Sequence, residues 1–353
     1  MFRLNMKARS ITLLVLMSVN AMLPTMTQGA ASEADFIISG KPASAYLPLL
    51  EQTRKRILPL KGEFKMYVGE VAKNLFVVSD GVYQSAFLKT SEGVVVLDAP
   101  ARYGARLPEI IHQYAPGERI THLIYSHAHK DHIGGSQAFR NVDGLKVVAH
   151  ERVRETLKGL KANDILMPNV TFASEYHLHV GQQPISLKNH GNFHSADADI
   201  FVYLPNQKFL YAVDIIEPGY VPFKALGFSA NISRYKSIFN DLLAYDFDIF
   251  LAGHLDVLGT RQDVIDTRDY VNDLESISAD LIKTVSPAGF FAKVFSALKN
   301  SENKMLAYHY YLDEIARQCA ESVTKVWRGR LSGVDVWSKS HCEIIQGYLL
   351  MNK

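Results

Sequence analysis

Residues 125–135 read YSHAHKDHIGG, and both the fold and the chemistry of the chain are read outward from them. Four side chains in this stretch can bind a metal: His127, His129, Asp131 and His132. They follow a short apolar run, 120–125, that predicts a buried strand. They precede Gly134-Gly135 and a short helical pattern over 136–139. A strand ending in a loop that opens a helix holds the loop residues on a rigid scaffold, which suits a site. Alternation along extended backbone sends His127 and His129 to one side, so both imidazoles reach one ion. Asp131 and His132 come from the turn and face a second ion. One His-x-His pair is weak evidence, because strand histidines are common. Three His and one Asp within six positions form a donor set that zinc-like ions prefer.

This segment carries the whole His-x-His-x-Asp-His pattern, and on it the chain resembles the metallo-β-lactamase superfamily. The resemblance implies an α+β fold, the four-layer αββα sandwich, and it implies more ligands downstream. Residues 189–199 read NHGNFHSADAD. In the family the third His of the first site sits in a Gly-x-x-His-Ser turn. Gly191 to Ser195 fit that turn, so the role falls to His194; His190 is a local rival that does not fit it. Asp214 ends a predicted strand, 209–213, where two-metal members carry an Asp that bridges both ions. The alternative reading is a turn residue at a strand end. One β-lactamase class has Cys there, and Asp speaks against that class. His254, in Gly253-His254, matches the Gly-His that completes the second site. The implied first site is His127, His129 and His194. The implied second site is Asp131, His132 and His254, with Asp214 shared, for two Zn2+ per chain. Three protein ligands plus a solvent position is the catalytic pattern rather than the closed structural one. Asp98 ends the apolar run 94–97; it is either a support behind the metal loops, as in the family, or a turn residue.

The chain has 353 residues, 48% hydrophobic and 21% charged, with a net charge of +2. That is ordinary globular composition, long enough for a large core. Near-neutral charge speaks against a dedicated nucleic-acid binder, so the expected partner is a small-molecule substrate. Residues 1–31 read as a signal peptide. Arg3, Lys7 and Arg9 precede an apolar stretch, 11–23, that is short for a bilayer span. Cleavage after Ala30 or Ala31 is expected, with an uncleaved anchor as the alternative. No later segment is apolar enough to cross a membrane, so the expected location is periplasmic or secreted. In such a compartment Cys319 and Cys342 either pair or remain buried thiols.

Along the chain, 36–262 read as the metallo-β-lactamase-like hydrolase domain and 263–353 as a helical extension. Short strands are expected at 66–71, 75–78, 85–90, 93–98, 145–149, 176–180, 185–189, 200–204, 209–213 and 247–252. Helical spacing appears at 107–114, 151–160 and 232–243. The extension has apolar 3.6-residue periodicity over 264–285, 290–298, 306–327 and 337–350. Its aromatics, Phe290, Phe291, Phe295, Tyr308, Tyr310, Tyr311 and Trp327, are assigned to core. His177 and His179 are assigned to a solvated strand face. His112, His122, His150, His309 and His341 have no partners at useful spacing.

Two divalent ions sharing a water lower its pKa to about 7, which gives hydroxide at neutral pH. Asp131 is the residue expected to orient it and take its proton. There is no Gly-x-Ser-x-Gly elbow and no His-Glu-x-x-His. The expected reaction is therefore zinc-dependent hydrolysis of a small ester, lactone or amide, β-lactams among them. Two alternatives stand beside it. One is an iron-dependent oxidoreductase of the sulfur dioxygenase type, and the other is a non-catalytic binding protein on the same scaffold. Tyr220 and Phe223, shortly after Asp214, are the candidate pocket residues.

Overall fold

A computed structural model of the protein describes residues 37–195, 198–297 and 303–352; the expected signal peptide lies outside the described residues. Met1–Ala45 and Tyr46–Lys353 are two compact units. The described part of the first is a strand pair, β1 (Ile37–Ile38) with β2 (Lys41–Pro42), and a 3-10 turn. The second opens with α1 (Glu51–Arg54) and contains two sheets.

The first sheet runs in sequence order. Its strands are β3 (Tyr67–Ala72), β4 (Leu75–Ser79), β5 (Gln84–Thr90), β6 (Gly93–Leu97), β7 (Ile120–Ile124), β8 (Lys146–His150) and β9 (Val170–Phe172). β3 to β6 form an antiparallel meander, and β6 to β9 are parallel. Parallel neighbours need crossovers, and these supply α2 (Leu107–Tyr114), α3 (Lys130–Ile133) and α4 (Glu151–Gly159). The second sheet holds β10 (Glu175–Val180), β11 (Gln183–Asn189), β12 (Ile200–Leu204), β13 (Phe209–Tyr211) and β14 (Ile249–Leu251). Only its β13–β14 pair is parallel, with α5 (Lys224–Phe228) and α6 (Ile232–Leu243) between. Four helices follow: α7 (Arg261–Thr284), α8 (Pro287–Ala297), α9 (Lys304–Trp327) and α10 (Val334–Asn352).

The strands are apolar on both sides because both sides are covered. In β6, Val95 and Leu97 face the second sheet, and Val94 and Val96 face the layer of α2 and α4. In β13, Phe209 and Tyr211 face the first sheet, while Leu210 joins the helical layer beyond. Helix α6 shows why that layer forms. Asn231 caps it by accepting the Arg234 N–H, and Tyr235, Ile238, Phe239 and Leu242 make one buried stripe. Helices α7, α9 and α10 pack on the same side, so the layers run helix, sheet, sheet, helix as the sequence implied.

Helix α9 buries one i, i+4 stripe: Ala307, Tyr311, Ile315, Cys319, Val323 and Trp327. Tyr308 and Tyr310 fall off that stripe and are exposed, so their assignment to core is corrected. Cys319 is disulfide-bonded to Cys342, which resolves the open choice and ties α9 to α10. Two parallel pairs, β6–β7 and β13–β14, end side by side in register at Leu97–Ile124 and Tyr211–Leu251. The residues that follow β7, β13 and β14, together with His194 from the loop between β11 and β12, build the site.

Candidate metal centre

Seven side chains converge in two groups whose ligand atoms lie within 4.8 Å of one another. His127, His129, His194 and Asp214 form the first; Asp131, His132 and His254 form the second. These are the seven positions read from the sequence. Asp214 stands between them. Its Oδ2 lies 2.9 Å from His194 Nε2 and 3.3 Å from His127 Nε2. Its Oδ1 lies 2.9 Å from His254 Nε2 and 3.4 Å from His132 Nε2. One carboxylate thus turns a different oxygen to each group. Asp131 faces only the second, with Oδ2 3.5 Å from His132 Nε2 and 3.7 Å from His254 Nε2.

The donor atoms fit a cation. His127 Nε2 is buried and makes no hydrogen bond. His129 Nδ1 and His194 Nε2 are 3.0 Å apart, and so are the Nε2 atoms of His132 and His254. Tetrahedral ligands at ordinary zinc–nitrogen distances are separated by roughly 3.3 Å. Nitrogen lone pairs that close together are stable only around a proton or a cation.

Local structure sets which nitrogen faces inward. Buried Asp98 accepts the Ser126 N–H at 2.8 Å, the Ser126 hydroxyl at 2.6 Å and the Tyr211 hydroxyl at 2.7 Å. Because the Ser126 proton goes to Asp98, Ser126 Oγ accepts from His127 Nδ1 at 3.0 Å. His127 therefore keeps its Nε2 lone pair for the centre. Of the two readings of Asp98, the support behind the metal loop is the one found. His194 is oriented the same way, with Nδ1 donating to the Gly227 carbonyl at 2.8 Å. That carbonyl belongs to an unusual turn. Ala225, Leu226 and Phe228 all have φ between 53° and 57°, a left-handed stretch in which each non-glycine residue costs about 1–3 kcal/mol.

The turn is held from α10. Ser340 Oγ accepts the Ala225 N–H at 3.2 Å, and His341 Nε2 donates to the Phe223 carbonyl at 3.0 Å. The other nitrogen of His341 accepts from the Tyr270 hydroxyl at 2.8 Å, and burial lowers its pKa to about 4. His341 had no partner in sequence because its partners lie 71 and 118 positions away. Gly253, before His254, has φ +88°, and a Cβ there would sit 2.6 Å from Val213 Cγ1 and 3.1 Å from His132 Cε1. No other residue fits that turn.

Charge in the cluster is finely balanced. Burial pushes Asp214 up, but the imidazoles of His132, His127 and His194 outweigh it and hold the carboxyl well below its usual range. Burial lowers His132, yet Asp214, Asp131 and Asp98 bring it up to about 9. Burial dominates at His127 and lowers it. Without metal the cluster is thus a network of carboxylates and imidazoles sharing protons, and a cation would displace those protons.

A cavity of about 790 Å³ opens onto this cluster. His129, Asp131, His194, Asp214 and His254 form its floor. Tyr220 and Phe223 line it, together with Tyr83, Glu217 and Phe228. Ser332, Gly333, Val336 and Trp337, from the extension, form a further wall. These were missed because nothing in the sequence brings residues 332–337 to residues 217–228. The structure does so by backbone pairing, with Val221 N–H to Ser332 O at 3.0 Å and Ser332 N–H to Gly219 O at 3.0 Å. Glu217 is buried, accepts the Phe223 N–H at 3.0 Å, and is pushed up to about 8 by burial and by Asp214.

The remaining histidines lie elsewhere. His190 stacks on Phe201 with ring centroids 4.1 Å apart and bonds the Tyr245 hydroxyl at 2.9 Å. His177 pairs with Glu175 on an exposed strand face. His150 caps α4.

The family model of the metallo-beta-lactamase superfamily matches residues 80–254, which span all seven ligands. Residues 80–254 are thus a domain of that superfamily. Among solved structures it is similar to a metallo-beta-lactamase from Pontibacter korlensis, at 20% identity and a TM-score of 0.50. That match covers 58% of this chain and 97% of that one. It is also similar to a double mutant of the sec-alkyl sulfatase PisA1, at 15% identity and a TM-score of 0.55. Here 81% of this chain and 50% of that one are covered. The share covered exceeds the part of this chain that precedes α7, so the likeness of fold extends into the C-terminal helices. No curated protein matches the chain.

Proposed function

We propose that the protein is a dinuclear zinc hydrolase that cleaves an ester, lactone or amide in a small molecule. The observation that carries this reading is the double-facing carboxylate of Asp214, with a three-ligand group on either side. His127, His129 and His194 would hold one ion, and Asp131, His132 and His254 the other, with Asp214 common to both. A bound pair of such ions supplies water activation near neutral pH and polarises the bond to be cut. The chain's own residues do the rest. Ser126 and Gly227 accept from Nδ1 of His127 and His194, so both imidazoles would turn their Nε2 atoms to the ions. Asp131 is half-exposed at the cavity floor, where its carboxylate orients the attacking water and accepts its proton. The nitrogen and carboxylate donor set, with no sulfur, favours zinc and also admits iron.

Export to a periplasm or the exterior is part of the proposal. The Cys319–Cys342 disulfide supports it, since such bonds persist in oxidising compartments. Among the described residues no helix is long and apolar enough to cross a membrane.

The test is elemental analysis of protein purified without added metal, followed by turnover on carboxylic esters, lactones, thioesters, phosphodiesters, alkyl sulfates and cephalosporins. Two zinc per chain with hydrolysis of one class supports the proposal. Asp131→Ala should then lower the rate by several orders of magnitude with the fold intact. Iron at one per chain, or near-normal turnover in Asp131→Ala, overturns it.

A further inference from the structure

Resting on the reading of the centre as an ester-cleaving site, we infer that its substrate carries one ester-type group on an otherwise uncharged, apolar body. The cavity over the ligands is walled by Tyr220, Phe223, Phe228, Val336 and Trp337. Among the described residues, neither Lys nor Arg lines it. Arg102 pairs with Asp80 at 2.6 Å, Lys130 with Asp164 and Arg54 with Glu51 at 3.4 Å, while Lys224, next to Phe223, is exposed and is not one of the lining residues. Among the described residues, the one ionisable side chain of the wall that is neither a metal ligand nor a tyrosine is the buried carboxyl of Glu217.

The consequence for recognition is direct. The cluster on the floor can take one polar head. A second anionic group further along the substrate would be desolvated against aromatic rings and a carboxyl group, with no cation of the described lining to offset the loss of water. This counts against β-lactams, whose carboxylate lies close to the amide that is cut. An apolar chain gains instead, because each buried methylene is worth about fourfold in binding. A cavity of about 790 Å³ has room for a chain of drug-like size. Val336 and Trp337 lie on α10, so the C-terminal helices supply part of this selectivity. A carboxylic ester and a monoanionic sulfate ester of an alkyl chain both satisfy the description, because the charge of the latter sits on the head itself.

The experiment uses the full, metal-loaded chain and a minimal pair: p-nitrophenyl octanoate, and the mono-p-nitrophenyl ester of suberic acid, which ends the same chain in a carboxylate. p-Nitrophenyl acetate and a series of secondary alkyl sulfates complete the set. Octanoate should exceed acetate in kcat/KM by at least tenfold and exceed the suberate ester by at least tenfold. Val336→Arg, a change at an exposed wall position, should narrow or reverse the octanoate preference over suberate. Turnover of alkyl sulfates alone, rising with chain length, supports the same inference and assigns the head group. Equal turnover of octanoate and suberate esters, or preference for a chain ending in trimethylammonium, overturns it while leaving the hydrolase reading intact.

A second readout separates the two claims. The neutral fluorophore N-phenyl-1-naphthylamine should bind the metal-free protein, with δ-decalactone displacing it and the suberate dianion, charged at both ends, failing to. That displacement pattern without turnover of any ester supports the cavity inference and overturns the hydrolase reading. Equal displacement by both ligands overturns the inference.

Discussion

Replacing Asp98 by Asn should cost metal affinity without unfolding the protein. Asp98 touches no ligand atom of the cluster. Its Oδ1 accepts the Ser126 N–H and its Oδ2 accepts two hydroxyls, from Ser126 and Tyr211. An amide nitrogen in the Oδ1 position would meet an N–H donor that cannot turn away. In the Oδ2 position it meets two hydroxyls, which can rotate, so the new amide nitrogen settles there as a donor. Ser126 Oγ then accepts from that amide and turns its own proton to His127 Nδ1, 3.0 Å away. The imidazole must move its proton to Nε2, the atom that faces Asp214 at 3.3 Å, and a protonated Nε2 cannot ligate. Losing such an outer partner weakens metal affinity by about 10- to 100-fold, or about 1.4–2.7 kcal/mol. The fold should survive, because burial already pushes Asp98 up to about 6 and the substitution removes that charge. Competition titration against a chromophoric chelator measures the affinity, and circular dichroism checks the fold. Tyr211→Phe removes one donor to Oδ2 but leaves the Ser126–His127 contact, so it should bind metal nearly as the parent does. A folded Asp98→Asn protein with parental affinity would refute the reasoning, as would equal losses in the two variants.

Three further predictions concern separate parts of the molecule. His194→Ala should bind one ion instead of two by elemental analysis, whereas His190→Ala, stacked on Phe201 away from the cluster, should still bind two. His341, held neutral by burial with its pKa lowered from 6.5 to about 4, binds its proton less readily folded than unfolded. Its contribution to stability should therefore be intact above about pH 6.5 and be lost as the pH falls to about 4; thermal melts of the parent should show a steeper acid-side decline than those of His341→Gln. Cys342→Ser opens a loop of 23 residues' separation and should cost about 3 kcal/mol, read as a lower midpoint in urea with a steeper slope, because the freed denatured chain exposes more surface.

Much of the centre was legible in the sequence because its donors are local. His127, His129, Asp131 and His132 lie within six positions, and chemistry of that density has few bland explanations. His194, Asp214 and His254 were reached through the family pattern, each marked by a nearby Gly or a strand end. The sandwich was legible for a related reason. Runs such as Val94 to Leu97 are apolar on consecutive residues, and only a strand covered on both faces needs that.

What the sequence determined alone was thus the four donors of residues 127–132, the layered class of fold and the periodicity of the helices, all properties of neighbours along the chain. What only the tertiary structure decided were relations between distant segments. It chose the support role for Asp98, whose partners include Tyr211, and it paired Cys319 with Cys342. It also set Ser332 to Trp337 against the loop after Asp214, turning a helical extension into a wall of the cavity. The physical reason is that hydrogen bonding and apolar burial between segments far apart along the chain leave no periodicity or spacing in either segment.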